Sequence, residues 1–88
     1  MRHGRCNEWM DVVIYSRRDC VESAVMRDYL GRMGVDFREL AVDGDPGARR
    51  EWEDLDGQVT PLLVVDQRRI VRGLDQTRLD QIFGFIGC

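Results

Sequence analysis

Hydrophobic and polar positions change rhythm several times along this chain, and each rhythm predicts an element. From Met10 to Tyr15 the β-branched and aromatic residues run without polar alternation, as in a strand covered on both faces. This is read as the first, central strand. After a short polar turn, Val21, Val25, Met26, Tyr29, Leu30 and Met33 recur near helical spacing, with Glu22, Arg27, Asp28 and Arg32 on the other side. A helix with that apolar stripe inward is expected, and Gly34 stands where a glycine ends a helix just past its C-cap.

Val35 to Val42 alternates imperfectly, Val35, Phe37, Glu39 and Ala41 against Asp36, Arg38, Leu40 and Val42, over strand length. A strand, a crossover helix and a strand predict a right-handed unit with parallel strands. Asp45 followed by Pro46 is a good N-cap with proline at the first helical position. The second helix is expected to run to about Leu55, with Ala48, Trp52 and Leu55 on one face. Arg49/Glu53 and Arg50/Asp54 are spaced for surface ion pairs.

Pro61 opens the apolar run Leu62 to Val65, and Asp66-Gln67-Arg68 predicts a hairpin turn into an antiparallel strand, Arg69 to Arg72. Gly73 and Asp75 lead into a last helix whose buried stripe is Leu79, Ile82, Phe83 and Ile86. The order β-α-β-α-β-β-α predicts an α/β fold: a four-stranded mixed sheet with helices packed on both faces.

Composition narrows the function classes. At 88 residues the chain has room for one domain, 1–88, with residues 1–8 as a polar, mobile tail that includes His3. A hydrophobic fraction of 43% and a charged fraction of 33% fit a soluble globular protein, and no apolar run approaches a membrane span. No apolar segment of signal-peptide length follows the first residues, so a cytoplasmic location is expected. A net charge of -3 without a one-sided basic cluster argues against nucleic acid as a partner, and a monomer is expected. All 13 basic side chains are arginine, the better residue for gripping a small carboxylate through a planar fork of donors. Cys6, Cys20 and Cys88 form a poor framework for a disulfide-stapled fold and read as reduced thiols.

Of the three, Cys20 sits at the start of a helix that follows the central strand, at the sheet edge where open α/β folds place their ligands. Unpaired helix N–H groups, together with Arg17 and Arg18, favour a thiolate there and so a usable nucleophile. Asp19 pulls the other way, since it is placed to cap the helix and to repel the charge. The tally of two arginines against one carboxylate favours activation, and the sequence leaves the balance open. Ser23, one helical turn on, stands where a dithiol enzyme carries its second cysteine, and serine cannot close a disulfide. A disulfide made by Cys20 is then formed with another molecule, or with Cys6 or Cys88 if a terminus reaches it.

Tyr15-Ser16 ending the first strand, Cys20-Val21-Glu22-Ser23, Thr60-Pro61, and Gly73 with Asp75 resemble, in order and spacing, the glutaredoxins, over about residues 10–86. The resemblance implies a thioredoxin-like fold with Pro61 cis and its loop beside Cys20. It implies thiol–disulfide oxidoreductase activity of the one-cysteine CxxS kind, with Cys20 catalytic, Tyr15, Asp19 and Ser23 as its neighbours, and glutathionylated or disulfide-bonded proteins as partners. Glutathione, the co-substrate, would lie along the loop. Its cysteine part would pair with the Thr60 backbone beside Pro61, Arg17 would hold a terminal carboxylate, and Gly73, Asp75 and Gln76 would receive the γ-glutamyl end. The alternative is a dimer holding a [2Fe-2S] cluster through two Cys20 thiolates and two glutathiones. The sequence departs from the family pattern in carrying Val59-Thr60 before the proline, Arg72-Gly73 in place of paired glycines, and neither CGFS nor an aromatic or proline beside the cysteine.

Overall fold

β1 (Val12–Ser16), α1 (Val21–Arg32), β2 (Arg38–Ala41), α2 (Pro46–Asp54), β3 (Leu62–Val65), β4 (Arg69–Arg72) and α3 (Gln76–Phe83) follow one another in the expected order. The computed structural model describes residues 11–83. The expected tail at 1–8 with His3, and Met10, Ile86, Cys6 and Cys88, lie outside the described residues.

The strands form one sheet in the order β2-β1-β3-β4, with β1 parallel to β2 and antiparallel to β3, and β3 antiparallel to β4. Every residue of β1 and β3 is buried, because these are the inner strands and both their faces are covered. Alternate side chains serve different layers. Val12, Ile14, Leu63 and Val65 pack with Met26 and Leu30 of α1 and Leu79, Ile82 and Phe83 of α3, whereas Val13, Tyr15, Leu62 and Val64 pack with Trp52 of α2. The result is the predicted thioredoxin-like α/β fold, with helices on both sides of a mixed sheet.

Two expectations need correction. The buried stripe of α1 is Ser23, Met26, Tyr29 and Leu30, while Val21 is 76% and Val25 37% exposed. Helical spacing admits neighbouring stripes, and the seat of Met26 and Leu30 between the sheet and α3 selects the one that turns Ser23 inward. The second strand is shorter than Val35 to Val42. As an edge strand it pairs with β1 alone, from Arg38 opposite Val13 to Ala41 opposite Ser16, and Val35 and Val42 are buried outside the ladder.

The helix ends follow the chemistry read from the sequence. At the end of α1, Gly34 takes φ 74°, donates to the Gly31 carbonyl at 3.2 Å, and lets Val35 donate to Leu30 at 2.9 Å. This is the paired closure that a left-handed residue after the C-cap provides. Asp45 caps α2 through Oδ1, which accepts from Gly47 N at 2.9 Å, and Arg49 bonds Glu53 at 3.2 Å.

The β3–β4 hairpin turns through Asp66 at φ 56° and Gln67 at φ 61°, the pair of left-handed residues a type I′ turn demands. Asp66 also bonds the backbone of Asp11, its amide donating to the Asp11 carbonyl at 2.7 Å and its Oδ1 accepting the Asp11 N–H at 3.0 Å. Among the described residues, Gln67 has no such compensating bond. Gln67→Gly is expected to stabilise the fold by about 0.5–1 kcal/mol, read as a higher urea midpoint with an unchanged slope.

Tyr29 joins α1 to α3 by donating to Asp80 Oδ1 at 2.8 Å. Burial, that hydrogen bond and the Asp80 charge push its hydroxyl up from 10.0 to about 12. Because the folded value is raised, the stability this proton carries is fully present below pH 10.0 and is lost as pH rises through about 12. Urea unfolding between pH 8 and pH 12 is expected to show wild type losing stability relative to Tyr29→Phe across that upper window.

Candidate functional site

β1 and β2 run parallel, so the segments leaving both strands meet at one edge of the sheet. After Ser16 the chain turns through Arg17, Arg18 and Asp19, and the turn closes where Cys20 N donates to the Arg17 carbonyl at 3.2 Å. The Arg18 amide donates to Asp43 Oδ2 at 3.0 Å, which ties this turn to the loop between β2 and α2. Cys20 itself is the N-cap of α1, extended at φ -87° and ψ 110°, and its carbonyl accepts from Ala24 N at 3.3 Å. This corrects the expectation that Asp19 caps the helix. The Cys20 side chain makes no cap hydrogen bond to the first helical amides, which leaves those amides as donors for a thiolate at the cap.

That placement decides the acidity of Cys20. Burial alone would raise the thiol, but donors from the Ser23 hydroxyl, the Thr60 hydroxyl and the backbone amides of Ser23 and Glu22 outweigh it, and the net shift is downward. The leading causes include neither Arg17 nor Arg18 nor Asp19. The downward shift is thus traced to short-range donors at a helix start rather than to the neighbouring charges.

Thr60 closes the other side of the site. The Cys20 thiol donates to the Thr60 carbonyl at 3.4 Å, and the Thr60–Pro61 peptide is cis. Two bonds hold the loop there: Gly73 N donates to the Pro61 carbonyl at 2.8 Å, and Trp52 Nε1 donates to the Val59 carbonyl at 3.0 Å. The chain passes close under the indole at Gly57, where a Cβ would stand 2.5 Å from the Trp52 carbonyl oxygen and 2.6 Å from the ring. Trp52 also carries the Arg17 guanidinium, 5.4 Å from the ring centroid.

Arg17, Asp19, Cys20, Asp43 and Thr60 line one open cleft of about 410 Å³. Asp43 is the residue that sequence reading missed. It looks like an ordinary turn residue, and the signal that would have found it is the parallel pairing of β1 with β2, which brings both outgoing loops to one edge. Other expected site residues lie around or away from the cleft. Pro61 is buried behind Thr60, and Tyr15 is buried toward α2, where its hydroxyl donates to Glu51 Oε1 at 3.1 Å. Ser23 is buried behind the sulfur. Gly73 reaches the site through its bond to Pro61, and Asp75 is exposed and caps α3, accepting from Arg78 N at 3.1 Å. Gln76 lines a different cavity, with Tyr29, Arg32 and Met33.

A family model for glutaredoxins matches residues 12–70, from the start of β1 into β4 and including the Cys20 and Thr60-Pro61 segments. The chain belongs to the glutaredoxin family. Among solved structures, this glutaredoxin-family chain is 29% identical to the thioredoxin-like protein BC3987, covering 82% of its own length and 99% of that chain at a TM-score of 0.75. The glutaredoxin from Methanosarcina mazei Go1 is 20% identical, with 85% and 79% covered and a TM-score of 0.73. NrdH-redoxin from Escherichia coli, described as a glutaredoxin-like protein with a thioredoxin-like activity profile, is 21% identical, with 82% and 93% covered and a TM-score of 0.73. The last two likenesses speak for the fold. A search of curated proteins finds none that matches.

Family membership carries thiol redox chemistry in general terms, and Cys20 is the free cysteine among the described residues. Among the described residues no group of three or more His, Cys, Asp or Glu side chains gathers as metal ligands. No described helix is long and apolar enough to cross a membrane.

Proposed function

We propose that this protein is a glutathione-dependent thiol–disulfide oxidoreductase that works through the single thiol of Cys20. The observation that carries the reading is the position of that sulfur: at the N-cap of α1, facing Thr60, in an open cleft that also holds Arg17. In the first step the Cys20 thiol gives its proton to water and the thiolate attacks the glutathione sulfur of a mixed disulfide. A Cys20–glutathione disulfide forms, the old S–S bond breaks, and the partner leaves as a thiolate that takes a proton from solvent. In the second step the thiolate of another glutathione attacks the glutathione sulfur bound to Cys20, releasing glutathione disulfide and the Cys20 thiolate. The partner sulfur has gone from disulfide to thiol, the incoming glutathione sulfur from thiol to disulfide, and the glutathione carried by Cys20 stays at the disulfide level throughout. Ser23 offers no sulfur for an internal second step.

In this reading the Thr60 backbone pairs with the cysteine part of glutathione and Arg17, steadied over Trp52, holds a carboxylate through its guanidinium fork. Gly73, Asp75 and Gln76 take the γ-glutamyl end. The Gln76 side chain would have to leave the cavity it lines with Tyr29 to do so. Among the described residues Val21, Val25 and Val59 are the exposed large apolar ones, and Val21 and Val59 adjoin Cys20 and Thr60, a surface suited to a protein that carries the disulfide. A monomer in the cytoplasm is part of the same proposal. Cluster ligation by two copies would draw one thiolate from each chain, and no further observation favours it.

Incubation with glutathione disulfide followed by intact-mass and peptide spectrometry tests the function. One glutathione on Cys20, released by added glutathione, is expected. No adduct, or an adduct carried on Cys6 or Cys88 instead, would overturn the reading.

A further inference from the structure

Arg17, Asp19 and Asp43 place one positive and two negative side chains around Cys20 in the open cleft. Elsewhere on the chain arginine neutralises carboxylate: Arg27 bonds Glu39, Arg32 bonds Asp28, Arg38 bonds Asp11 and Arg49 bonds Glu53. In the cleft it does not. Among the described residues neither Asp19 nor Asp43 forms an ion pair, and the Arg17 guanidinium lies over the Trp52 ring instead. Asp43 is also held in place, because its Oδ2 accepts the Arg18 amide at 3.0 Å on the turn that leads to Cys20. One amide leaves most of the carboxylate's acceptor capacity open. A disulfide that reaches the Cys20 sulfur enters this cleft, so charges carried beside it act on Asp43 within the range over which salt leaves them unscreened, about 10 Å at 0.1 M.

We propose that Asp43, assisted by Asp19, makes Cys20 selective for mixed disulfides whose non-glutathione half carries a positive charge beside the sulfur, that is, glutathionylated proteins with lysine or arginine next to the modified cysteine. The inference rests on the reading of Cys20 as the nucleophile and names the partner class that reading leaves open. Arg17 is then kept for a carboxylate of the glutathione half, and Asp43 receives the cation of the other half. Charge tells the two halves apart, which turns the glutathione sulfur towards the attacking thiolate and leaves the partner as the departing group. Asp43 makes and breaks no bond. It is a specificity-determining residue, acting on approach and orientation.

Reaction of the full chain with three small disulfides tests this: cystamine, bis(2-hydroxyethyl) disulfide and 3,3′-dithiodipropionate, which carry an ammonium, a hydroxyl and a carboxylate beside the S–S bond. In each, the Cys20 thiolate attacks one sulfur, a mixed disulfide forms on Cys20, and the other half leaves as a thiolate that takes a proton from water. Mass spectrometry on the Cys20 peptide gives each rate, and division by the rate with the neutral thiol N-acetylcysteine amide removes intrinsic differences between the disulfides. The normalised ratio of cystamine to dithiodipropionate is expected to exceed one by about threefold to tenfold at low salt. It should fall towards one in 1 M NaCl, where the screening length is about 3 Å. Asp43→Asn, whose Oδ1 can still accept the Arg18 amide, is expected to lower the low-salt ratio at least about twofold, and Arg17→Gln to raise it. Asp19→Asn, where no hydrogen bond is at stake, should lower it as well. A wild-type ratio of one or less overturns the proposal, as does an Asp43→Asn ratio equal to wild type. So does an equal effect from Asp28→Asn, which removes a charge outside the cleft. Glutathionylated peptides with arginine or glutamate beside the cysteine should repeat the ranking. The small disulfides contain no glutathione, so a charge ratio that Asp43→Asn lowers, together with no glutathione adduct, would sink the proposed function and leave the Asp43 assignment standing.

Discussion

Cys20→Ser is expected to abolish both the glutathione adduct and turnover, with activity on a glutathionylated peptide falling by at least about 10³-fold. A serine hydroxyl at the same position can still donate to the Thr60 carbonyl, and Cys20 lies at the rim of the core, so the fold should survive the change. That separates chemistry from stability. Retained activity would move the nucleophile to Cys6 or Cys88. The same pair of proteins carries a pH signature. The folded thiol is lowered, so the thiolate adds stability above the ordinary thiol range, and this is lost as pH falls through the lowered folded value. Wild type should therefore gain on Cys20→Ser as pH rises, in urea midpoints measured at matched pH.

Trp52→Ala is expected to cost about 3–5 kcal/mol, since a buried indole leaves a cavity that its neighbours only partly fill. Against a total of about 5–15 kcal/mol for a domain of this kind, that is a large share, and a urea or thermal midpoint will show it. The site should suffer as well as the fold. The indole N–H holds the Val59 carbonyl, one residue before Thr60, and the ring carries Arg17. Folded Trp52→Ala should therefore form the glutathione adduct more slowly than wild type under conditions where both are native. Trp52→Phe keeps most of the apolar volume and loses the donor, so it should cost only about 1–2 kcal/mol while still loosening the Val59–Thr60 loop. Equal adduct rates in wild type and Trp52→Phe would show that this hydrogen bond does not hold the loop in place for reaction.

The two variants mark how far local signals in the sequence reach. Cys20 stands out because a strand-turn-helix pattern with a cysteine at the junction is a local signal, and the structure places it at that junction. Trp52 read as a cover residue of α2, which it is, but nothing local links it to Val59 or Arg17. Asp43 read as a turn residue, and only the meeting of two loops at one sheet edge puts it in the cleft. The Val21-Val25 stripe was a local inference of the right kind with the wrong rotation, by a fraction of a helical turn. That rotation exposes two valines, buries Ser23, and gives the Cys20 sulfur a donor beneath it.

The sequence by itself determined the order of the elements, the buried inner strands, the Gly34 and Asp45 ends of the helices and the one-thiol CxxS segment. These depend on periodicity and on the backbone preferences of single residues, which act over a few positions. Only the tertiary structure decided which face of α1 points inward, which residues meet Cys20, and what acidifies it. Hydrogen bonds and burial act over a few ångströms, and the residues that supply them, Ser23, Thr60 and the cap amides, come within that range only when α1, the Thr60–Pro61 loop and the sheet edge are assembled. Arg17, Arg18 and Asp19, nearest to Cys20 in the chain, are exposed to solvent, where water screens their charge, and the donors facing its sulfur prevail.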